Sequence, residues 1–295
     1  MERKAFIKSL ALLPLAASFM NLRELSKIGD SLPKTEKMPV LFIGHGSPMN
    51  AIEDNEFTTR WKQLAKDLPQ PAAVICISAH WLTKGTFITA MDQPETIHDF
   101  GGFPQALFDV QYPAPGNPQL AIETKELIKT TTVGLDHEWG LDHGTWSIIK
   151  QMYPEAKIPV LQLSIDYYKS PQYHYDLAKE LSALRNKGVL IVGSGNMVHN
   201  LGMVDFKKLN DPKGFGFDWA LEMNEIFKSN ISSRNHKALI DYQNLSKSAT
   251  LAIPTPDHYY PLLYTLGLQN EKEETSFFND KAVAGSLTMT SVKIG

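Results

Sequence analysis

The sequence contains very little cysteine: Cys76 is the single one among 295 residues. One cysteine excludes a disulfide within the chain and a cysteine-rich zinc site. Because Cys76 lies in the apolar run at residues 72–77, it is expected to be a small buried core residue rather than a nucleophile.

The sequence also lacks an excess of positive charge. Its 29 Lys and Arg residues stand against 32 Asp and Glu residues, for a formal net charge of -3. No cluster of basic residues interleaved with aromatic residues occurs along the chain, so nucleic acid is not expected as a partner. With 43% hydrophobic and 21% charged residues, the composition is that of a globular protein.

Residues 1–38 differ from the rest of the chain. They are expected to form a leader-like or flexible segment, and residues 39–295 one folded domain. The apolar stretch at residues 10–20 is too short to cross ~30 Å of hydrocarbon as a helix, so no stable membrane anchor is expected. Residues 3–8, with the sequence RKAFIK, resemble a degenerate twin-arginine export signal. This favours export to the periplasm, with a cytoplasmic location as the alternative.

The remainder alternates between apolar runs and helical patterns. The apolar runs, which do not alternate with polar residues and so suit strands buried on both faces, lie at 39–43, 72–78, 158–164 and 189–192. The helical patterns lie at 56–68, 118–129, 144–152 and 171–186. This order predicts a single α/β domain with a central, mostly parallel or mixed sheet flanked by helices. Residues 286–294 alternate in polarity and are expected to form a closing edge strand.

Histidines follow three of the predicted strands. His45, His80 and His199 come shortly after runs that end at residues 43, 77 and 192, and ligands of α/β sheets bind beyond the carboxyl ends of the strands. His258 follows a stiff Pro-Thr-Pro-Asp segment. Because neutral imidazole is a common ligand of zinc and iron, the sequence predicts a metal site at these strand ends. The glycine-rich residues 193–196 could instead cradle a phosphate, although no lysine follows to complete a P-loop.

Two further histidines lie in segments rich in glycine and aromatic residues. His143 precedes a predicted helix and follows an aspartate, which gives it ready hydrogen-bond partners. His98 lies in a segment expected to cross the mouth of the pocket, either as a surface residue or as a substrate contact. His137, His174 and His236 have no such context and are expected to be solvated.

Seven short motifs, taken together and in order, resemble the 4,5-DOPA extradiol dioxygenase family of the class III ring-cleaving dioxygenases. They lie at residues 44–49, 78–81, 97–104, 112–116, 142–144, 195–200 and 254–259. The resemblance covers residues 39–295. It implies a single α/β domain, a histidine-bound metal, and opening of a catechol ring next to its two hydroxyls by O2. A DOPA-like substrate would yield a muconate semialdehyde.

The resemblance also implies roles for individual residues. His45, His80 and His258 resemble the metal ligands, His143 a second catalytic histidine, and Ser47 and His98 substrate contacts. His199 resembles a position that is either a fourth ligand or the acid/base. His258 stands where a better-known branch has a carboxylate on Fe(II), so one divalent metal is expected, Fe(II) for turnover or Zn(II) as bound. An octahedral iron has six coordination positions, of which a chelating diol and dioxygen need three. Four permanent histidine ligands would therefore leave too few positions for the diol and dioxygen.

Two other functions remain open at the level of sequence. A zinc hydrolase would need a nearby carboxylate base, for which Asp142 and Asp257 are the candidates. The domain could also be a non-catalytic module that binds a metal or a partner. The sequence does not indicate an oligomeric state.

Overall fold

The computed structural model describes residues 36–209 and 211–295. The predicted leader and export signal, up to residue 35, lie outside the described residues. The strands are β1 Val40–Gly44, β2 Ala73–Ser78, β3 Leu82–Thr83, β4 Thr86–Thr89, β5 Val133–Asp136, β6 Val160–Gln162, β7 Ile165–Asp166, β8 Val189–Gly195, β9 Thr275–Phe278, β10 Ala282–Val283, β11 Leu287–Thr288 and β12 Ser291–Ile294. The helices are α1 Glu56–Asp67, α2 Gln105–Phe108, α3 Pro118–Leu127, α4 His143–Met152, α5 Pro171–Glu180, α6 Ser182–Arg185, α7 Asp218–Ser232, α8 His236–Ile240, α9 Ala249–Ala252 and α10 Tyr260–Gly267.

The main sheet has six strands in the order β6-β2-β8-β1-β12-β9. The pairs β6/β2, β2/β8 and β8/β1 are parallel, whereas β12 is antiparallel to both β1 and β9. The prediction of an α/β domain with a mixed sheet is therefore confirmed. Parallel pairing also places the carboxyl ends of β1, β2 and β8 at one edge of the sheet.

The prediction of a closing edge strand at residues 286–294 is wrong. Within that segment β12 lies between β1 and β9, and three of its four residues are buried. The edge is β9, which directly follows a run of charged residues and has only one buried residue. Because β9 is short and mostly accessible, its sequence carries no strong strand pattern.

Each central strand supplies side chains to two hydrophobic layers. Val40 and Phe42 of β1 pack into one layer with residues of α5, α7 and α10, whereas Leu41 and Ile43 pack into the other with Trp61 of α1 and residues of α4. Helices therefore cover both faces of the sheet, which explains why its strands read as continuous apolar runs. Cys76 of β2 is fully buried in the second layer, as predicted, and burial raises the pKa of its thiol.

The sequence predicts the start of α5 correctly but not its end. Ser170 caps α5 by accepting a hydrogen bond from the N–H of Tyr173 at 3.4 Å, and proline occupies the first position of the helix. The predicted helix over 171–186 ends at Glu180, and α6 forms a separate turn. Among the described helices there is none whose length and apolar character would let it cross a bilayer.

A buried ion pair joins the two ends of the domain. The guanidinium of Arg185 is fully buried, and it donates to the carbonyl oxygens of Met38 and Leu268 at 2.7 and 2.8 Å. It also makes two hydrogen bonds to the Glu273 carboxylate, at 2.6 and 3.0 Å. Such two-pronged pairing is strong because both partners are charged and planar.

Glu273→Gln is expected to lower the free energy of unfolding at pH 7 by about 3 kcal/mol, because the Arg185 charge stays buried without its counter-ion. Burial alone would raise the pKa of Glu273, but the hydrogen bonds from Arg185 outweigh it, and the folded pKa lies below 4.5. The contribution is therefore complete above pH 4.5 and is lost as the pH falls through the folded pKa. Urea titrations at pH 7 and below pH 4.5 would show the difference between variant and wild type shrinking. Glu155→Gln, at an exposed pair with Lys157, is the control and should not change stability.

Candidate metal centre and active site

Hydrogen bonds of its backbone N–H and carbonyl hold His45 at the carboxyl end of β1. Its N–H donates to the carbonyl of Gly195 at 3.1 Å, and its carbonyl accepts from the side-chain amide of Asn50 at 2.9 Å. Gly46 follows with φ +61°, a left-handed conformation that favours glycine. A Cβ at Gly46 would also collide with the sulfur of Met289. The turn therefore directs the His45 ring, which is 2% exposed, into the interior.

Four other histidines meet His45 at this edge of the sheet. His80 follows β2, His199 follows β8, His143 begins α4, and His258 precedes α10. The ring centroids of the trio His45, His80 and His258 lie 5.0, 5.1 and 5.1 Å apart. His143 lies 3.9 Å from His80, and His199 lies 3.5 Å from His258. The structure thus brings together all five histidines that the sequence proposed as ligands or acid/base residues.

The hydrogen bonds of Ser194 fix which nitrogen of His45 carries the proton. The Ser194 hydroxyl donates its one hydrogen to the carbonyl of Gly144 at 2.6 Å. Its oxygen therefore accepts the proton on Nδ1 of His45, 3.0 Å away. Nε2 of His45 is consequently left with a free lone pair.

The other two members of the trio also have oxygen partners at Nδ1. Nδ1 of His258 is hydrogen-bonded to the Asp257 carboxylate, whereas Nδ1 of His80 lies 3.6 Å from Asp99, beyond hydrogen-bond distance. Histidines that bind metals commonly have such a partner on the nitrogen that does not bind the ion, because it fixes the tautomer and the ring orientation. In all three rings Nε2 therefore remains as the nitrogen available to bind a metal ion.

The spacing and protonation of these nitrogens fit a metal ion. Nε2 of His45 lies 3.2 Å from Nε2 of His80, and two nitrogens bound tetrahedrally at 2.0–2.1 Å are about 3.3 Å apart. Burial, followed by repulsion from the neighbouring imidazoles, holds the pKa of His45 and of His80 well below 6.5. Both rings are therefore neutral at pH 7, as metal ligands must be.

His199 is oriented differently from the trio. The His199 ring is stacked on the His258 ring, with an angle of 7° between the planes. The backbone N–H of His199 donates to the carbonyl of Ala252 at 2.8 Å. A nitrogen lone pair lies in the plane of its ring, so an ion in the plane of His258 would lie well outside that of His199. Burial, with His258 next, lowers the pKa of His199 to about 3. The stacked orientation is unfavourable for an ion shared with His258, although one atom each of His199, Asp257 and His258 lie within 4.8 Å of one another.

His143 has an anchored backbone and a ring close to the trio. Its N–H donates to Oδ1 of Asp99 at 2.8 Å, and its ring nitrogen Nδ1 lies 3.0 Å from Oδ2, although without good hydrogen-bond alignment. Each of His45, His80 and His143 offers one nitrogen, and these three nitrogens lie within 4.8 Å of one another. His143 is therefore near enough to act on anything held by His45 and His80.

Comparison with known proteins decides the family. Residues 38–291 match the family model described as the catalytic LigB subunit of aromatic ring-opening dioxygenase. The chain belongs to the LigB family. It is 46% identical to a 4,5-DOPA dioxygenase extradiol of Escherichia coli K12 over 91% of this chain and 98% of the relative. It is 33% identical to one from Beta vulgaris over 85% and 94% of the respective lengths.

A solved structure agrees with the sequence comparisons. The crystal structure of an uncharacterized Escherichia coli K12 protein superposes with a TM-score of 0.75 and 42% identity, covering 88% of this chain and all of that one. The LigB protein described here is therefore an extradiol ring-cleaving dioxygenase, an oxidoreductase that acts on a catecholic substrate with O2. Its candidate metal centre is the histidine cluster.

The two predicted substrate contacts of the LigB protein lie outside the histidine cluster. The Ser47 hydroxyl caps the short 3₁₀ turn Pro48–Ala51 by accepting from the N–H of Met49 at 3.2 Å. Nε2 of His98 lies 3.0 Å from the carbonyl of Val110, and the His98 ring packs against Phe100, Phe108 and Trp146. Both residues therefore have structural partners, and their contact with substrate stays a prediction.

Three sequence expectations about this region are corrected. His174 is fully buried and bonded to Tyr264 rather than solvated. The glycine-rich stretch that offered a phosphate loop as an alternative forms the end of β8, where a Cβ at Gly195 would collide with the carbonyl oxygen of His258. Glycine there serves close packing, which brings His258 to the site. Asp142 is not a free base, because it is fully buried and accepts hydrogen bonds from Ser78, Gln162 and the N–H of Thr145.

Sequence reasoning missed Asp99, Ser194 and Phe100. Asp99 directly follows His98 and shows no pattern of its own, and Ser194 lies in the glycine-rich stretch at residues 193–196. The Phe100 ring lies edge-on to His143, with centroids 5.6 Å apart. The available signal was their position, since each is in or next to a motif that carries a histidine.

Ser194→Ala is expected to weaken Zn(II) binding about 10-fold or more, because Nδ1–H of His45 loses its acceptor and the ring loses its fixed tautomer. Competition with a chromophoric chelator at pH 7 would measure the dissociation constant. Ser233→Ala, which alters an exposed hydroxyl that caps its own helix, is the matched control. Equal affinities for the two variants would contradict the orienting role of Ser194.

Proposed function

We propose that this LigB enzyme binds one divalent metal through His45, His80 and His258 and opens the ring of a DOPA-like catechol next to its diol. The product would be a muconate semialdehyde. The observation that carries the proposal is the convergence of the trio, with Nε2 of His45 and His80 separated by the distance expected of two ligands on one ion.

The donor set restricts the metal to two candidates. Three imidazole ligands suit Fe(II) and Zn(II) alike. When bound, Fe(II) would acidify the catechol hydroxyls and supply the redox chemistry that O2 requires, whereas Zn(II) has no redox chemistry and would fill the site without turnover. We propose Fe(II) as the metal of the active enzyme.

His199 and His143 handle protons and orientation in this proposal. His199 lies next to the trio, stacked on His258, and would take a proton from a catechol hydroxyl and return one as the ring opens. His143 has Nδ1 close to Asp99, at 3.0 Å, so Nε2 would be the nitrogen that accepts a hydrogen bond from the other hydroxyl. Phe100, next to His143, offers an aromatic edge to the substrate ring.

The two carboxylates considered as bases for a zinc hydrolase are already hydrogen-bonded within the protein. Asp142 is enclosed by three hydrogen bonds, and burial raises its pKa. Asp257 is occupied by Nδ1 of His258. Neither carboxylate is free to activate a water molecule.

An oxygen-electrode experiment tests the proposal. Protein purified without O2 and loaded with Fe(II) should consume one O2 for each catechol cleaved and form a yellow product. L-DOPA, dopamine and unsubstituted catechol would rank the substrates, and Zn(II)-loaded protein is the control. Absence of O2 uptake with every catechol in the panel would overturn the proposal.

A further inference from the structure

Asp99 contacts two histidines of the cluster through one carboxylate. Oδ1 accepts the backbone N–H of His143 at 2.8 Å. Oδ2 lies 3.0 Å from Nδ1 of His143, without good hydrogen-bond alignment, and 3.6 Å from Nδ1 of His80, so both are charge contacts rather than hydrogen bonds. The two imidazoles are themselves close, with ring centroids 3.9 Å apart. A single oxygen therefore faces the same ring nitrogen of a candidate ligand and of a candidate catalytic residue.

The position of this oxygen is fixed from several sides. The bond from Oδ1 anchors the carboxylate to the first residue of α4, where the unpaired N–H groups of a helix favour an anion. On the preceding side, His98 contacts the carbonyl of Val110. On the following side, Phe100 packs against His143 and Trp146. Only 18% of the Asp99 side chain is exposed.

A carboxylate in this position selects a tautomer in both rings. An ionised carboxylate only accepts hydrogen bonds, so it favours a proton on Nδ1 of each imidazole. In His80 this leaves the Nε2 lone pair, which lies 3.2 Å from Nε2 of His45. In His143 it leaves Nε2 for the substrate. One residue can thereby favour the same tautomer in the proposed ligand His80 and in its catalytic neighbour His143.

We propose that Asp99 is a positioning residue that couples the metal ligand His80 to the substrate-facing His143. Its role at His143 rests on the proposed function, whereas its role at His80 concerns metal binding alone. The carboxylate stabilises the Nδ1–H form of each ring and holds the two rings at a fixed relative angle.

Asp99→Asn tests both halves of the proposal. Asparagine keeps an oxygen for the N–H of His143 but removes the charge. Zn(II) affinity, measured by chelator competition, should fall 10- to 100-fold because His80 is no longer oriented. At saturating Fe(II), kcat for catechol cleavage should fall 10- to 100-fold with KM changed less than about 3-fold, because His143 is misaligned.

Asp109→Asn is the matched control, since Asp109 is an exposed carboxylate nearby that bonds to Gln105. If Asp99→Asn matches this control in Zn(II) affinity, the coupling to His80 is overturned. If kcat at saturating Fe(II) is unchanged, the coupling to His143 is overturned. Should the wild type cleave no catechol, the proposed function fails, but the affinity measurement still decides the role at His80.

A second measurement needs no variant. In zinc-loaded wild-type protein labelled with ¹⁵N-histidine, long-range proton–nitrogen spectra at pH 7 report which ring nitrogen is protonated. Nδ1 of His143 should carry a proton. A spectrum showing the proton on Nε2 alone would overturn the proposal even if Asp99→Asn failed to fold.

Discussion

His45→Ala is expected to abolish stoichiometric metal binding, from about one ion per chain to less than a tenth, and with it all detectable ring cleavage. Ser194 fixes the tautomer of His45 that leaves Nε2 with a free lone pair. Removing the His45 ring leaves only two of the three proposed ligands. Metal analysis after gel filtration without O2 would measure the change.

The His45 variant should still fold, because the hydrogen bonds that hold this segment involve the backbone of residue 45. Circular dichroism would verify this. His137→Ala, at an exposed histidine that is not a member of the cluster, is the control and should retain metal and activity. A folded His45→Ala protein with stoichiometric metal would refute the ligand assignment at its first member.

His199→Ala is expected to lower kcat about 10²- to 10⁴-fold, the usual contribution of a general acid/base, while the metal content stays unchanged. The reason is the stacking of His199 on His258, an orientation that is poorly suited to sharing an ion with His258. Steady-state kinetics at saturating Fe(II), together with metal analysis of the same samples, would check both parts.

His199→Gln separates the two roles of this residue further. Glutamine could still offer an oxygen to a metal but cannot exchange protons near pH 7, so it should be as slow as alanine. Loss of metal from His199→Ala together with wild-type kcat per bound ion would identify a ligand instead. Unchanged kcat and metal content in both variants would rule out either role.

The elements that the sequence predicted well depend on local patterns. The runs that became β1, β2 and β8 are apolar over their whole length, which is sufficient because both faces of the sheet are covered. The histidines after these strands could be grouped because parallel strands end at the same edge. His258 was indicated by its stiff proline-containing approach, and it is supplied by the segment before a helix rather than by a strand.

The parts that the sequence did not predict depend on contacts between distant segments. Asp99 and His143 are 44 residues apart, and Ser194 and His45 are 149 apart. Nothing near Ser194 indicates its partner, since its glycine neighbours suggest a loop. His174 was misjudged for the same reason, because its partner Tyr264 lies 90 residues away.

The order of β1 in the sheet has a consequence for biosynthesis. β1 pairs with β8 on one side and with β12, near the end of the chain, on the other. A ribosome therefore releases β1 long before either neighbour exists, and the trio is incomplete until His258 has left the exit tunnel. In the proposed site, therefore, the third imidazole is synthesised last, and a nascent chain truncated before residue 258 lacks it.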